Sequence, residues 1–114
     1  MNNELELLFN NFKVDEKLIP VSFLDYNGEE ETYIVYQSLG EEPSFWGDNE
    51  VLASENTYDF HIYTKGNYLN ILNKIKEKLK INGWTWVEDS EDLYEDDTCF
   101  FHKVTTWSKE RNDN

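Results

Sequence analysis

The segment 51–64 constrains the possible fold more than any other part of this sequence. Apolar side chains alternate with more polar ones along its second half, with Tyr58, Phe60 and Ile62 set against Asp59, His61 and Tyr63. Successive side chains of a strand point to opposite faces of a sheet, so this alternation predicts a strand with one apolar face. An apolar sheet face must be covered by a second layer, which this chain has to supply from its helices.

The following segment, 67–83, has the spacing of an amphipathic helix. Asn67 can cap its start, and Gly83 is predicted to end it in the left-handed conformation. The residues between them separate into two sets, an apolar stripe of Tyr68, Leu72, Ile75 and Leu79 and a polar set of Lys74, Lys76, Lys78 and Lys80. This pattern predicts a helix that packs on the sheet through its apolar stripe.

Residues 3–13 are predicted to form a second, shorter amphipathic helix, because their apolar side chains fall close to a helical stripe: Leu5, Leu7, Leu8, Phe9 and Phe12. After Pro20, residues 21–26 are predicted to be extended. The Asn27-Gly28 pair favours positive φ angles, so we predict a hairpin with residues 32–39. The acidic run at residues 29–31 widens the connection between the two strands.

Residues 40–49 contain Gly, Pro and Asp-Asn signals and are predicted to form a loop of ten residues. Two large aromatic residues lie in it, Phe45 and Trp46. In one interpretation they fold back over an open edge of the core. In the other they anchor a partner, because aromatic side chains dominate interface hot spots. On the second interpretation Phe45, Trp46, Asp48 and Asn49 are the candidate contact residues.

Residues 84–88 and 98–108 are predicted to be two closing strands, separated by an acidic connection. The resulting order is α-β-β-β-α-β-β. It fits the α+β class, with two helices packed against a mainly antiparallel or mixed sheet of about five strands. The length suits one domain, which we predict to cover residues 1–114, with residues 110–114 forming a frayed tail.

The chain is strongly acidic, with a formal net charge of −14. Such a surface lacks the cations that contact nucleic-acid phosphates, so we do not expect direct sequence-specific nucleic-acid binding. A hydrophobic content of 39% is enough for a core and argues against disorder. Cys99 is the single cysteine, and no signal-peptide pattern or run of about 20 apolar residues is present. We therefore expect a soluble protein that is made in the cytoplasm and does not bind membranes.

Two clusters were considered as sites of chemistry. Residues 88–97 contain seven carboxylates, a density that could attract calcium or magnesium. An EF-hand starting at Asp89 would place Tyr94 at the turn glycine and Phe100 at the bidentate glutamate, so a solvated acidic loop is the expectation.

Cys99 and His102, with His61, are too few ligands for a closed zinc site, which needs four. On one strand Cys99 and His102 would point to opposite faces, which argues against a nucleophile pair. The motifs of phosphate-binding loops, serine hydrolases and zinc proteases are absent from the sequence. No enzyme activity, catalytic residue, cofactor or metal site is predicted.

The basic residues are unevenly distributed, since five of the ten lie between Lys65 and Lys80. In a homo-oligomer, this basic helix could meet an acidic surface of the next subunit, and a head-to-tail contact of this kind closes into a ring if the rotation permits. In the alternative interpretation the lysines solvate an exposed helix face and extend their methylene stems over apolar neighbours.

Five landmarks give the chain a resemblance to a known family. They are a Tyr-Ile-Val-Tyr strand, an Asp-Asn loop, a strand ending in Ile-Tyr-Thr, a Gly-aromatic pair after a helix, and an aromatic final strand. In this sequence they occupy Tyr33–Tyr36, Gly47–Asn49, Ile62–Thr64, Gly83-Trp84 and Phe100-Phe101. Over residues 19–111 this order resembles the tail-completion or tail-terminator-like proteins of siphophages and Gram-positive prophages. The chain departs from that pattern in having Gly47 where the family usually has Ala, and in its heavier acidity.

The resemblance implies a structural protein of the virion tail, synthesised in the bacterial host cytoplasm. It would complete or cap the tail tube and join it to the head connector, as a homo-oligomeric ring for which a hexamer is one candidate size. Its partners would be itself, the tail-tube protein and the head–tail connector proteins. An acidic lumen would repel passing DNA. The alternative hypothesis is a small acidic inhibitor or immunity protein that binds a basic toxin or nuclease.

Overall fold

The computed structural model describes residues 3–47 and 50–112, and for Ser44, Phe45, Val51, Leu52 and Asn112 it describes the backbone alone. Within these ranges the chain forms two helices and eight strands. In chain order they are α1 (Asn3–Leu8), β1 (Lys13–Val14), β2 (Lys17–Leu18), β3 (Val21–Phe23), β4 (Thr32–Gly47), β5 (Glu50–Thr64), α2 (Leu69–Ile81), β6 (Thr85–Asp89), β7 (Leu93–Glu95) and β8 (Phe100–Asn112).

Six of these strands form one mixed sheet in the order β3-β4-β5-β8-β6, with β7 also paired to β8. The β3–β4 pair is parallel and the other pairs are antiparallel. β1 and β2 form a separate small hairpin. The sheet and its two helices confirm the predicted α+β class.

The core lies between one face of this sheet and the helices. Phe60 and Ile62 of β5 are fully buried, whereas their neighbours Asp59, His61 and Tyr63 are half-buried on the other face. The Phe60 ring lies 5.5 Å from that of Phe9, which follows α1. From α2 the core receives Ile71, Leu72, Ile75 and Leu79. The alternation in β5 and the apolar stripe of α2 are both confirmed.

Both ends of α2 follow the predicted capping signals. The Asn67 side-chain oxygen accepts a hydrogen bond from the Leu69 backbone N–H at 2.9 Å. At the other end Gly83 has φ +87°, and the N–H groups of Gly83 and Trp84 donate to the carbonyl oxygens of Lys80 and Leu79. This is the Schellman arrangement, in which a left-handed residue lets two later N–H groups satisfy the last carbonyls of the helix.

The N-terminal region differs from the prediction of a helix over residues 3–13. The helix ends at Leu8, Asn11 adopts φ +54°, and the β1–β2 hairpin turns through two positive-φ residues. Phe9 and Phe12 still reach the core from the irregular segment, whereas Leu7 is 77% exposed. An asparagine tolerates the left-handed conformation better than most residues, which explains why the helix does not continue.

The predicted hairpin between residues 21–26 and 32–39 is wrong. β3 pairs with β4 in the parallel direction, with Val21 opposite Ile34. In a parallel pair the connection has to run back to the end of the sheet at which β3 starts. Because β3 has only three residues, residues 24–31 are long enough to cover this distance before β4 begins. Tyr26 in that connection stacks on Tyr33 of β4 with 4.4 Å between ring centroids, which holds the returning chain against the sheet.

The predicted loop over residues 40–49 is also wrong, because β4 continues to Gly47 and pairs with β5 up to Gly47 opposite Glu50. The C-terminal residues are not frayed as far as Asn112, which pairs with Ala53. The predicted acidic connection contains the short strand β7. In each case a pairing strand supplies backbone hydrogen bonds that the turn residues and charges of the local sequence do not reveal. The partner is a neighbouring strand for β4 and β7, and the distant β5 for the end of β8.

Candidate interaction surfaces

One end of the sheet extends well beyond the helices, and we call this part the arm. It comprises residues 41–47, 50–56 and 109–112, and it begins after the cross-strand row of Gly40, Thr57 and Ser108. The molecule measures 53 × 27 × 24 Å, and its radius of gyration of 15.5 Å exceeds the roughly 13 Å expected for a compact domain of this size. The arm is a three-stranded ribbon that projects from the body.

The predicted contact residues belong to the end of the arm. Trp46 lies in β4 opposite Val51, and its side chain is 59% exposed. The Phe45 backbone pairs with Ala53, and the Phe45 side chain is not among the described groups. Asp48 and Asn49 lie outside the described residues. For Trp46, the interpretation that it folds back over an open edge of the core is wrong, because the indole is exposed and is not part of the core cluster.

The arm carries three glutamates in a single cross-strand row. Glu42 lies opposite Glu55, and Glu55 lies opposite Glu110. Residues directly opposite each other share one face of the sheet, and like charges in such pairs are destabilising. On the other arm face Arg111 forms an ion pair with Glu41. The Glu42–Glu55 pair is therefore a place where a cationic partner would be stabilising.

The outer edges of the arm have no partner strand among the described residues. β3 pairs only with residues 34–36 of β4, and β6 pairs only with residues 105–108 of β8. Unpaired edges are templates for another chain, and natural proteins protect them with charges, prolines and bulges. The β4 edge contains Glu41, Glu42 and Pro43, and its pairing register shifts near Gly40 and Phe45. These features oppose indiscriminate strand pairing along that edge.

A second surface is a groove between α2 and β6, which we call the Trp86 groove. It has a volume of about 520 Å³ and is lined by Lys76, Glu77, Lys80, Trp84, Thr85, Trp86 and Trp107. Trp84 and Trp107 are buried, whereas the Trp86 side chain is 52% exposed. β6 borders the groove and, among the described strands, pairs only with β8. An apolar groove beside a strand edge suits a protein segment with an aromatic side chain.

The groove is held in shape by one ion pair. Lys76 Nζ binds Asp89 Oδ2 at 2.5 Å and lies 5.1 Å from the centre of the Trp86 ring. The Trp86 Nε1–H donates to Asp89 Oδ1 at 2.9 Å. Burial raises the pKa of Asp89, but hydrogen bonds from Lys76, Trp86 and Thr105 outweigh burial and hold the pKa below its usual range. Asp89 therefore remains a carboxylate that fixes both the lysine and the indole.

The sequence prediction missed the Trp86 groove, although a signal for it was present. Trp84 and Trp86 are two residues apart in a predicted strand, so the sequence alone places two indole rings side by side on one face. The lysines of α2 divide between two sides of the helix. Lys76 and Lys80 line the groove, whereas Lys74 and Lys78 line a separate shallow pocket with Ile81.

The sheet face opposite the helices carries a ladder of stacked rings. Tyr26, Tyr33, Tyr63, His102 and His61 follow one another with centroid separations of 4.4, 5.0, 4.3 and 5.1 Å. No described helix or strand covers this face. Cross-strand ring pairs stabilise a sheet even where one face is solvated.

The two histidines of the ladder form a hydrogen-bonded pair. His61 Nδ1 lies 2.8 Å from His102 Nε2, so one ring donates and the other accepts. His61 Nε2 is buried without a hydrogen bond and lies 3.9 Å from Asp59 Oδ2. Burial lowers the pKa of His61, with Asp59 opposing. Burial and the neighbouring His61 both lower the pKa of His102, with Glu95 opposing.

Cys99 does not take the place that strand alternation predicted. It has φ +62° and precedes β8, so the alternation rule does not extend to it. Its sulfur lies 3.9 Å from the Asp96 carbonyl oxygen, whereas His102 bonds His61. The two residues therefore have separate partners.

The carboxylates of the acidic segment 88–97 are not gathered around one point. Asp89 binds Lys76, whereas Asp92 accepts hydrogen bonds from Tyr68 and Lys103. Within residues 3–47 and 50–112, no group of three or more His, Cys, Asp or Glu side chains is arranged to hold a metal ion.

Comparison of the chain with protein-family models found no matching family, and comparison with curated proteins found no significantly similar sequence. In the described part of the chain, neither helix is long and apolar enough to span a membrane. The interpretation of function therefore depends on the arm, the Trp86 groove and the open sheet face.

Proposed function

We propose that this chain is a structural, non-enzymatic component of a phage or prophage tail. It completes or caps the tail tube and joins it to the head connector as a homo-oligomeric ring, with a hexamer as one candidate size. The observation that carries the proposal is the arm. It holds many of its side chains away from the body, where they contribute to contacts with other chains rather than to the core.

Four of the five landmarks of the family resemblance lie in strands of the sheet or at the junctions between its elements, which supports the proposal. Tyr33–Tyr36 lies in β4 above the core, Ile62–Thr64 ends β5, and Gly83-Trp84 joins α2 to β6. Phe100-Phe101 begins β8. These four landmarks lie within the elements of the sheet or at their ends, whereas Asp48 and Asn49 of the fifth lie outside the described residues.

Charge supports a ring around DNA rather than a protein that binds DNA. The formal net charge of −14 would line a channel with negative potential, so a duplex would pass without adhering. The same charge opposes assembly of identical subunits. The Debye length is about 8 Å at physiological ionic strength, so charges on different subunits that are farther apart than this repel each other only weakly. Moderate salt should therefore favour assembly.

Light scattering during size-exclusion chromatography tests the proposal, over a wide range of protein concentrations at low and moderate salt. We expect a discrete ring-sized species that becomes more populated at moderate salt. The chain should also bind the tail-tube or connector proteins encoded by neighbouring genes. A chain that stays monomeric and does not bind those proteins under any of these conditions would contradict the proposal.

The glutamate row of the arm favours one second candidate, the small acidic inhibitor or immunity protein. Glu42 and Glu55 offer two aligned carboxylates to a basic toxin or nuclease. This function requires a monomer that forms a tight one-to-one complex with the basic protein. Measuring the mass of the chain alone and with a basic nuclease distinguishes the two functions.

A further inference from the structure

We propose that the arm tip of one copy docks in the Trp86 groove of a second copy, with Trp46 as its aromatic anchor. This inference rests on the proposed ring function and names the two surfaces that build the ring. The occupant of the groove is thus a second copy of this chain.

The groove suits an inserted ribbon that carries an aromatic side chain on one face and a carboxylate on the other. Its apolar part consists of Trp84, Trp86 and Trp107, and the lysines at its rim are Lys76 and Lys80. Lys76 is committed to Asp89. Lys80 is exposed and forms no ion pair with any described residue, so its ammonium group is available to an incoming carboxylate. A ring on one face of an inserted ribbon contacts Trp86 on the β6 side of the groove, and a carboxylate on the other face pairs with Lys80 on the α2 side.

The arm tip presents this combination. Trp46 is 59% exposed, and Glu50 is exposed at the last described pair of the ribbon, opposite Gly47. Trp46 belongs to the preceding cross-strand pair, so the Trp46 and Glu50 side chains lie on opposite faces of the ribbon. A tryptophan buries about 150–250 Å² when it is covered, and tryptophan is among the residues most enriched at interface hot spots. Other exposed apolar side chains, such as Leu7 and Leu18, lie in the N-terminal region outside the arm.

The arm tip cannot reach the groove of its own chain. β6 pairs with residues 105–108 of β8, and the arm begins only at residue 109. From that base the ribbon runs for seven residues to Gly47, which corresponds to roughly 20 Å of strand. In the arm β5 is the central strand, and its backbone pairing with β4 on one side and β8 on the other keeps the ribbon extended. The tip of one copy can therefore enter only the groove of another copy.

The contact joins two different surfaces of the chain, so it is heterologous. A heterologous contact repeats from subunit to subunit and generates a closed ring when the rotation permits. The arm tip carries Glu50, and the groove rim carries Lys80 on α2, so these two side chains are complementary in charge. Glu77 also lines the groove, so the attraction is confined to the Lys80 side of the rim. This complementarity supplies local attraction between subunits that repel each other overall.

The test uses two variants of the full chain and a matched control for each. Trp46→Ala removes the anchor from the arm, and Lys80→Glu reverses the charge at the groove. Leu18→Ala removes an equally exposed apolar side chain from β2, and Lys74→Glu makes the same charge change on the side of α2 that does not line the groove. Circular dichroism and urea unfolding establish that all four variants fold.

We expect Trp46→Ala and Lys80→Glu to weaken self-association about tenfold or more, as measured by sedimentation velocity over a concentration series. Leu18→Ala and Lys74→Glu should leave it within about threefold of the parent chain. Wild-type rings that persist in both test variants would overturn the arm–groove contact and leave the proposed tail function standing. A parent chain that stays monomeric at every concentration would overturn the contact as well, while its binding to tail proteins would still report on the function.

Mixing the two variants provides a sharper test of the heterologous geometry. The Lys80→Glu copy keeps an intact arm and the Trp46→Ala copy keeps an intact groove, so one productive contact remains possible between them. We expect the mixture to form dimers that do not grow into rings. Equal behaviour of the mixture and of each variant alone, with the parent chain forming rings, would contradict the proposed contact.

Discussion

The body and the arm are built from the same three strands, yet they use side chains in opposite ways. In the body β5 buries Phe60 and Ile62 completely beneath the helices. In the arm the ribbon continues with Trp46 exposed and with three glutamates aligned in one row. Among the described side chains of the arm only small ones, Ala53 and Ser54, are buried, and Arg111 pairs with Glu41 across the ribbon. The comparison teaches that backbone pairing, with few buried side chains, continues a sheet once a core has fixed its strands. Side chains beyond the core are then available for other purposes.

The largest difference in stability between the two regions is expected when one aromatic ring is removed from each. Phe60→Ala should lower the free energy of unfolding by about 3–5 kcal/mol, because it leaves a cavity against the rings of Phe9 and Tyr36. Trp46→Ala should change it by no more than about 0.5 kcal/mol, as is usual for exposed positions. Urea unfolding at concentrations where the chain is monomeric measures both. A loss above about 2 kcal/mol for Trp46→Ala would show that the arm has a core of its own.

Removing one charge from each region should produce a smaller difference in the free energy of unfolding between body and arm variants. Asp89→Asn leaves Lys76 half-buried without its carboxylate and should cost about 1–3 kcal/mol. In the arm, Glu42→Gln removes a like charge opposite Glu55 and should be neutral or slightly stabilising. Thermal unfolding at pH 7 compares the two variants with the parent chain.

The pH dependence of the Asp89 effect follows from the lowered pKa of that carboxyl group. A carboxyl whose folded pKa is depressed contributes stability above the unfolded value of 3.8, and this contribution is lost as the pH falls below that value. The parent chain and Asp89→Asn should therefore converge in stability in acid. Parallel curves down to pH 2 would show that Asp89 does not act through its charge.

Two glycines with positive φ permit a matched backbone comparison. Gly83 at φ +87° ends α2, and Gly40 at φ +119° lies at the base of the arm. A Cβ would meet no close atom at either position, so Ala introduces conformational strain without a clash. Gly83→Ala should lower global stability by about 1 kcal/mol. Gly40→Ala should lower it less, because the arm can open locally, and should mainly increase hydrogen exchange in residues 50–56.

The smallest expected effect concerns the His61–His102 pair on the open face of the body. Both pKa values are lowered on folding, chiefly by burial, so the unfolded chain binds more protons near and below pH 6.5. Stability should therefore fall as the pH drops from 7.5 to 5.5. His102→Phe keeps a ring in the ladder and should reduce this loss. Urea midpoints at the two pH values test the effect, and an unchanged pH dependence would exclude the pair as its source.

The sequence predicted the parts of the fold that depend on short-range patterns. The alternation around Phe60 identified β5, and the capping signals at Asn67 and Gly83 fixed both ends of α2. The parallel pairing of β3 and the continuation of β4 past Gly40 were not predicted. Residues at positions 40–49 resemble loop signals, although they form the end of the β4–β5 hairpin. The third strand of the arm, from β8, comes from a distant part of the chain.

The candidate surfaces divide in the same way. Trp46 stood out in the sequence as a large aromatic residue in a polar segment, and its exposure agrees with a role in binding. The Trp86 groove and the His61–His102 bond were missed because they join residues from different elements. Local periodicity by itself determined the fold class, the central strand and the main helix, because each depends on side chains within a few turns or a single strand. Only the tertiary structure decided the arm, its glutamate row and the groove, because strand register and helix position are set by hydrogen bonds and packing between distant segments.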